Sequence, residues 1–313
     1  MAAYLVRRIL AVIPVLLIVA IFVFLLLRLT PGDPAAIIAG DQATPEQLNR
    51  IREAMGLNKP ILSQFVEWSG RLLRGDLGVS LISNTPVAGM IASRIGPTIS
   101  VAILTMLMSI AIAVPMGVIA AWRHGKAADY AVMSFSVLGF SVPVFVIGYL
   151  LILLFSIKLG WFPVQGFKPI SAGFWPFLHH AFLPAVTLTT IYVALIARMT
   201  RANMLEVLGE DYIRTARAKG APERRVLFRH ALRNAAVPIL TVIGTGFALL
   251  IGGVVVTETV FNIPGVGRLT VDAVLARDYP VIQAMILLTS ALYVLINLLI
   301  DLSYSIFDPR IRY

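Results

Sequence analysis

Residues 95–122 read IGPTISVAILTMLMSIAIAVPMGVIAAW, a stretch with no aspartate, glutamate, lysine or arginine. A helix needs about 20 apolar residues to cross a bilayer core of about 30 Å, so this stretch can span a membrane. Other uncharged intervals long enough to do the same lie at 9–27, 130–157, 169–197, 234–257 and 279–300. The sequence therefore predicts an all-α integral membrane protein with six transmembrane helices.

The composition agrees with a membrane protein. Of the 313 residues 58% are hydrophobic and only 13% are charged, whereas a soluble domain carries about 25% charged residues. These values argue against an ordinary soluble enzyme, a disordered chain or a collagen. The chain has no cysteine, which excludes disulfides, zinc–thiolate sites, iron–sulfur clusters and cysteine nucleophiles.

The first hydrophobic segment follows Arg7 and Arg8 and could be a cleaved signal peptide. Its uncharged run, 9–27, is longer than the usual apolar region of a signal peptide. It ends in Arg28-Leu29-Thr30-Pro31 rather than in small residues suited to cleavage. These features favour a retained anchor, which we count as the first span.

The distribution of lysine and arginine predicts the orientation. With six spans both termini lie on one side, together with loops 123–129 and 198–233. That side carries nearly all of the net charge of +10. Because cytoplasmic loops of membrane proteins are enriched in lysine and arginine, we expect cytoplasmic N- and C-termini.

The segment 30–94 lies on the other side and predicts a small helical cap between spans one and two. Its helix signals are a capping box at Thr44-Pro45-Glu46-Gln47, a stop at Gly56, a restart at Asn58-Lys59-Pro60, a turn at Gly75-Asp76-Leu77-Gly78, and a third short helix from Thr85-Pro86 toward Arg94. The cap either packs over the spans or docks an outside partner. The predicted organisation is thus 1–29 with span one, 30–94 as the extracytoplasmic loop, and 95–313 as the core with spans two to six.

The cytoplasmic loop 198–233 predicts two short helices around a sharp turn. Asp211 can cap a helix that runs to Lys219, and Gly220 stands where a left-handed residue ends a helix. Pro222 suits the first turn of a second helix, from Glu223 to about Arg233. Small residues make the turn slim, and basic residues surround it.

Three interpretations of this loop compete. It is a solvated basic loop without a partner, a DNA-binding helix-turn-helix, or a knob that inserts into a cleft of a cytoplasmic protein. Short connections to two membrane spans argue against DNA, so no nucleic-acid partner is expected. The residues that would form the knob are Asp211, Tyr212, Arg214, Thr215, Ala216, Arg217, Ala218, Lys219, Gly220 and Ala221.

The same loop carries a family resemblance. Residues 210–220, EDYIRTARAKG, and 230–234, HALRN, followed by Pro238, resemble permease subunits of bacterial ABC importers of the dipeptide/oligopeptide/nickel group. The general importer signature is kept only in part, with Arg214-Thr215-Ala216 in place of its first triplet. Further motifs of the group stand in order along the chain: 30–34 TPGDP, 75–78 GDLG, 262–268 NIPGVGR, 278–280 DYP and 308–313 DPRIRY.

This resemblance implies a function. The long loop after span one is similar to the B-type permease of the group, especially dipeptide and glutathione importer permeases. Such a subunit has the type I ABC importer fold and forms half of a pathway for short peptides across the bacterial inner membrane. Its implied partners are a second permease, two cytoplasmic ATPase subunits, and a periplasmic or lipid-anchored substrate-binding protein. Residues 211–221 would be the coupling helix that docks on an ATPase.

Two alternatives remain open. Related permeases handle nickel or a metal chelate, so the cargo could be of that kind. An ion-coupled secondary transporter is a different class, but the sequence shows neither inverted repeats nor a carboxylate network at mid-span.

Catalytic chemistry is not expected in this chain. The one Gly-Lys pair, Gly125-Lys126, is followed by Ala127 and lacks the upstream glycine of a P-loop, so ATP and magnesium would be bound by partner subunits. His179-His180 lacks a nearby carboxylate and metal-ligand spacing, so no metal site is expected. Polar residues that are candidates to line the pathway are Ser141, Thr187, Thr190, Thr245, Glu258, Ser290, Asn297 and Asp301. For Glu258 and Asp301 the alternative is an interface residue that reaches toward water.

Overall fold

The computed structural model describes residues 2–29, 35, 44–54 and 57–307. The predicted all-α fold is confirmed, since this part of the chain consists of helices joined by turns and one isolated bridge between Val79 and Pro86. The first six helices are α1 Ala2–Leu29, α2 Pro45–Ala54, α3 Ile61–Leu73, α4 Val87–Trp122, α5 Ala127–Ser141 and α6 Val144–Lys158. The others are α7 Phe174–Leu208, α8 Asp211–Ala218, α9 Glu223–Asn234, α10 Ala236–Val260, α11 Val266–Leu275 and α12 Tyr279–Phe307.

The predicted spans all fall on helices. Within the described residues, α4, α7 and α12 are each long and apolar enough to cross a membrane. Two bent pairs pass the same test together, α5 with α6 and α9 with the first part of α10, which gives up to five spans. The described apolar part of α1, Leu10–Leu25, is shorter. The first predicted span lies on this helix, and the count of six spans stays a prediction.

The third predicted span is broken. The interval 130–157 is one uncharged run, but α5 ends at Ser141, two residues before Pro143, and α6 leaves it at an angle of 99°. Proline forces the residue before it out of the helical region, and Val142 is extended, with φ −92° and ψ 123°. From Ile152 to Lys158, α6 continues as a π-helix, a form that is rare outside short bulges.

The helix of the second predicted span begins earlier than the span itself. We expected a short helix from Thr85-Pro86 and a separate span from Ile95, but α4 runs unbroken from Val87 to Trp122. The predicted division at 94/95 therefore falls inside a helix. A run between charges measures the part of a helix that can enter lipid, and Arg94 marks where that part begins. Pro97 within α4 removes one backbone hydrogen bond without ending the helix.

The helices form two compact units. The first comprises Met1–Ile95 and Leu269–Val294, and the second comprises Gly96–Arg268 and Leu295–Tyr313. In the first unit α3 packs on α1, where the Phe24 ring lies 5.1 Å from Phe65 and 5.6 Å from Trp68 between centroids. The side-chain amide of Gln283 donates to the carbonyl of Val23 at 3.0 Å, which ties α12 to α1.

In the predicted cap segment, 30–94, the first helix start and the turn at 75–78 are confirmed on the described residues. Helix α2 begins at Pro45, and the Leu48 N–H donates to the carbonyl of Thr44 at 3.0 Å. The turn at 75–78 has glycines at φ +79° and +84°, and the Asp76 carboxylate accepts from the Gly78 N–H at 2.9 Å. Gly56 and residues 30–34 and 308–313 lie outside the described residues.

In the second unit α7 is the central helix, and its neighbours approach it at small residues. A Cβ added to Gly117 of α4 would lie 2.5 Å from the Cβ of Thr200. One added to Gly139 of α5 would lie 3.0 Å from the Cβ of Ala194. Helix α10 meets α12 in the same way, since a Cβ on Gly244 would lie 2.2 Å from Ile300. Small residues at such crossings are typical of helices packed in a membrane.

Candidate functional site

The predicted knob is present as helix α8. It begins one residue earlier than expected, because Glu210 is the N-cap, with φ −69° and ψ 147°, and Asp211 is the first helical residue. Helix α7 ends at Leu208, so the chain needs an extended residue to change direction, and Glu210 supplies it. The N–H of Ile213 donates to the Glu210 carbonyl at 3.1 Å. Asp211 instead pairs with Arg214 at 3.1 Å and places a negative charge in the first turn, where the helix dipole favours it.

The C-terminal end of α8 confirms the predicted role of Gly220. Its φ is +76°, its N–H donates to the carbonyl of Arg217 at 2.9 Å, and the Ala221 N–H donates to Ala216 at 3.2 Å. These two bonds form a Schellman motif. Pro222 follows as the N-cap of α9, one position before the first helical turn that we predicted for it.

Helices α8 and α9 are joined into one folded body. Ile213 on the inner face of α8 is fully buried, in a cluster with Met204, Val226 and Leu227. Arg217 donates two hydrogen bonds to Glu223, the shorter at 2.7 Å. Of the ten predicted knob residues, eight are exposed, and Ala216 and Ala221 are partly buried. The buried Ile213 therefore fixes α8 to the protein, while the turn that follows α8 stays exposed.

Tyr212 joins the same body from the outer side. Partial burial raises the pKa of its hydroxyl, and a hydrogen bond with the Asn234 side chain lowers it in part. The phenol therefore stays protonated near neutral pH. The ring is 42% exposed, so it also contributes to the free surface of α8.

A buried ion pair that sequence reasoning missed holds loop 123–129 to α7. The Asp129 side chain is 4% exposed and accepts from Arg201 at both carboxylate oxygens, with the bond from Nη2 at 2.8 Å. The Gly125 N–H and the His124 ring each lie 3.0 Å from the same carboxylate. Asp129 and Arg201 are 72 residues apart, and no local spacing signals their contact.

The motif at 262–268 wraps around Glu258. This carboxylate has no exposed surface. It accepts a hydrogen bond from the Thr98 hydroxyl and another from the Arg268 N–H at 2.9 Å. The Thr98 oxygen in turn accepts from the Val266 N–H at 2.8 Å. Both carboxylate oxygens are therefore used to fix the start of α11.

The glycines of that motif make room for the carboxylate. A Cβ on Gly265 would lie 2.0 Å from Glu258 Oε1, and one on Gly267 would lie 2.7 Å from the Cα of Val255. The expectation that Glu258 reaches toward water is therefore wrong, because the turn encloses its carboxylate. Its role on the pathway stays a prediction.

The motifs at 75–78 and 278–280 meet each other. The Ser80 hydroxyl donates to the Asp278 carboxylate, which also accepts from the Leu81 N–H at 3.1 Å. A Cβ on Gly78 would lie 3.8 Å from Pro280. Two motifs that are far apart along the chain, with 198 positions between Ser80 and Asp278, are therefore held together.

The other pathway candidates do not converge on one site, and their role stays a prediction. Thr187 is buried and its hydroxyl donates to Leu183 in its own helix, as the half-buried Thr190 does to Val186. Ser141 is exposed at the broken third span and donates to Val137. The half-buried candidates of α10 and α12 are Thr245, Ser290, Asn297 and Asp301.

The two adjacent histidines bond to backbone carbonyls. His179 Nε2 lies 2.8 Å from the carbonyl of Trp161, and His180 Nδ1 lies 2.9 Å from that of Pro176. Each ring therefore takes part in a hydrogen bond to the backbone.

Residues 113–313 match the family model described as the inner membrane component of binding-protein-dependent transport systems. Residues 1–102 match the model of the N-terminal part of the same membrane component. The chain belongs to this family. The chain is therefore an inner membrane component of a transport system. Its family is not one of known enzymes.

The relatives cover the whole chain. It is 56% identical over 313 residues, all of both chains, to a probable peptide ABC transporter permease of Sinorhizobium fredii. It is 45% identical, again over all of both chains, to the glutathione transport system permease GsiC of Escherichia coli O6:H1. A structure of the MetNI methionine ABC transporter in an inward-facing conformation matches 70% of this chain and 96% of its own, with a TM-score of 0.58 at 18% identity. The predicted type I importer fold is thereby confirmed.

Proposed function

We propose that this chain is one of two permease subunits of an ATP-driven importer and forms half of a pathway for short peptides. Full-length identity of 56% to a peptide permease and 45% to a glutathione permease supports this cargo class. The observation that carries the mechanism is the body of α8 and α9, whose inner face is anchored by Ile213 and whose turn at 218–220 is exposed.

Helices α8 and α9 are arranged so that a movement of one is transmitted to the membrane spans. Helix α8 cannot move without α9, because Ile213 packs on Val226 and Leu227 and Arg217 pairs with Glu223. The same cluster includes Val118 of α4 and Met204 of α7. A partner that moves the exposed turn would therefore move the inner ends of two spans, as in a rigid-body switch between two packed states.

The partners follow from this role. A second permease completes the pathway, two ATPase subunits bind ATP and magnesium and receive α8, and a soluble or lipid-anchored protein delivers the substrate. The basic loops 123–129 and 198–233 and both termini face the cytoplasm, as the excess of lysine and arginine favours.

A tryptophan at the exposed turn tests the docking. Ala218 is exposed and ends α8, so Ala218→Trp adds bulk at the proposed interface without entering the buried cluster. The chain is expressed with its neighbouring permease and ATPases, and co-purification of the ATPases is measured together with peptide uptake. We expect both to fall at least tenfold, since poor fit at the centre of an interface costs about 2 kcal/mol or more.

The matched control is Ala88→Trp, at an exposed alanine in the first turn of α4. It should leave ATPase co-purification unchanged. Retention of the ATPases and of uptake by Ala218→Trp would show that α8 is not the docking element.

A further inference from the structure

An open groove lies along α9, directly after the proposed docking turn. Its volume is about 660 Å³, and every residue that lines it is exposed. Four of the six are arginines, and none is acidic. The lining residues are Pro222, Arg224, Arg225, Phe228, Arg229 and Arg233.

The groove is a fixed feature of the fold. The opposite face of α9 is buried through Val226, Leu227 and Ala231, so the helix cannot roll to hide its arginines. Glu223, the acidic residue of α9, is engaged by Arg217 at 2.7 Å. In the part of the chain that the structure describes, no ion pair neutralises the four arginines of the groove.

This concentration of charge predicts an anionic ligand. Four cations within ten residues repel one another unless an anion lies between them. The planar guanidinium group binds phosphate through two parallel hydrogen bonds. The ligand chemistry that best fits the groove is therefore a phosphate group.

The position of α9 indicates the source of that phosphate. Only Ala235 separates α9 from α10, and the two meet at 65° where the chain enters the membrane span. Phe228 is 46% exposed beside the arginines. An exposed aromatic ring among cations is typical of helices that lie at the membrane surface, where a lipid supplies phosphate and acyl chain together.

We propose that the groove binds the headgroup of an anionic phospholipid, with the arginines on the phosphate and Phe228 against the acyl chain. Its placement in the cytoplasmic leaflet rests on the orientation given under the proposed function. A bound lipid would hold α9 at the membrane surface and give the exposed turn of α8 a fixed support.

Lipid titration of the purified full chain in a neutral detergent tests this proposal. Native mass spectrometry measures the apparent Kd for phosphatidylglycerol and, separately, for phosphatidylcholine. An arginine near an anionic surface contributes about fivefold in affinity. Arg229→Gln/Arg233→Gln should therefore weaken phosphatidylglycerol binding about 25-fold, with phosphatidylcholine unchanged. The matched control, Arg71→Gln/Arg74→Gln, removes two exposed cations from the cap segment and should change neither Kd.

Three results would overturn the proposal. The double variant could keep the preference for phosphatidylglycerol. Inorganic phosphate could displace the lipid at millimolar concentration, which would assign the groove to free phosphate. The variant could bind the lipid normally yet lose ATPase co-purification, which would assign the groove to a protein. If the double variant does not elute as a folded monomer, Arg229→Lys/Arg233→Lys keeps the charge and should weaken binding less. No ATPase is present in the titration, so its result is independent of the docking test.

Discussion

At the scale of single residues, Glu258 shows how a buried carboxylate can organise the backbone around it. Its two oxygens hold the Thr98 hydroxyl and the Arg268 N–H, and the Ile263 N–H donates to its main-chain carbonyl at 2.8 Å. An ionisable residue at the edge of a span is by default a functional candidate. Here the enclosing turn accounts for its position in structural terms.

Replacing Glu258 should therefore affect stability. Glu258→Ala leaves buried donors without an acceptor, at about 1–3 kcal/mol each, so we expect a loss of about 2–5 kcal/mol. Glu258→Gln keeps one acceptor oxygen and should cost less. Thermal unfolding of the purified variants in detergent measures the difference, with Thr259→Ala, at an exposed neighbour in the same helix, as the control. If Glu258→Ala melts like the parent chain, the carboxylate does not hold this turn.

The sequence predicted the left-handed conformation of Gly220 but not the burial of Glu258, and the difference has a physical reason. The role of Gly220 depends on local backbone geometry, which the string Ala-Lys-Gly-Ala-Pro makes readable. The surroundings of Glu258 depend on Thr98, 160 positions away, and on a turn whose path is set by tertiary contacts. The same limit applies to Asp129 and Arg201.

At the scale of elements, the interruptions of helices carry information that a count of apolar runs loses. Uncharged intervals located the long apolar helices in their order along the chain, because lipid requires apolar length. They did not give the 99° break after Ser141, the 65° bend at Ala235 or the start of α4 at Val87. Those features depend on proline geometry and on packing, and the absence of charge in a segment reports neither.

Helix crossings at glycine predict a contrast between two substitutions in α4. Gly117→Ala would bring a Cβ to 2.5 Å from Thr200 and 2.7 Å from the carbonyl of Ala197. Overpacking of this kind costs about 1–3 kcal/mol. Gly89→Ala, in the first turns of the same helix, meets nothing within 4 Å and should be neutral or slightly stabilising. Unfolding by heat or by a denaturing detergent ranks the two, and equal stability would contradict the close crossing of α4 and α7.

At the scale of the whole molecule, the surplus of positive charge has two consequences. It orients the chain, since most lysines and arginines lie in the loops and termini predicted to be cytoplasmic. It also surrounds α8 and lines the groove of α9, where four arginines stand together. The same loop would thus fix the topology, support ATPase docking and bind the lipid surface.

The orientation can be measured directly because the chain contains no cysteine. Single cysteines are introduced as Lys219→Cys, beyond the end of α8, and Leu73→Cys, at a side chain that is 88% exposed in the cap segment. A membrane-impermeant maleimide is applied to intact spheroplasts and then to lysed ones. Leu73→Cys should react in intact spheroplasts, and Lys219→Cys should react only after lysis, because charged reagents do not cross the bilayer core. The reverse pattern would place the α8 loop outside and would remove the basis for ATPase docking.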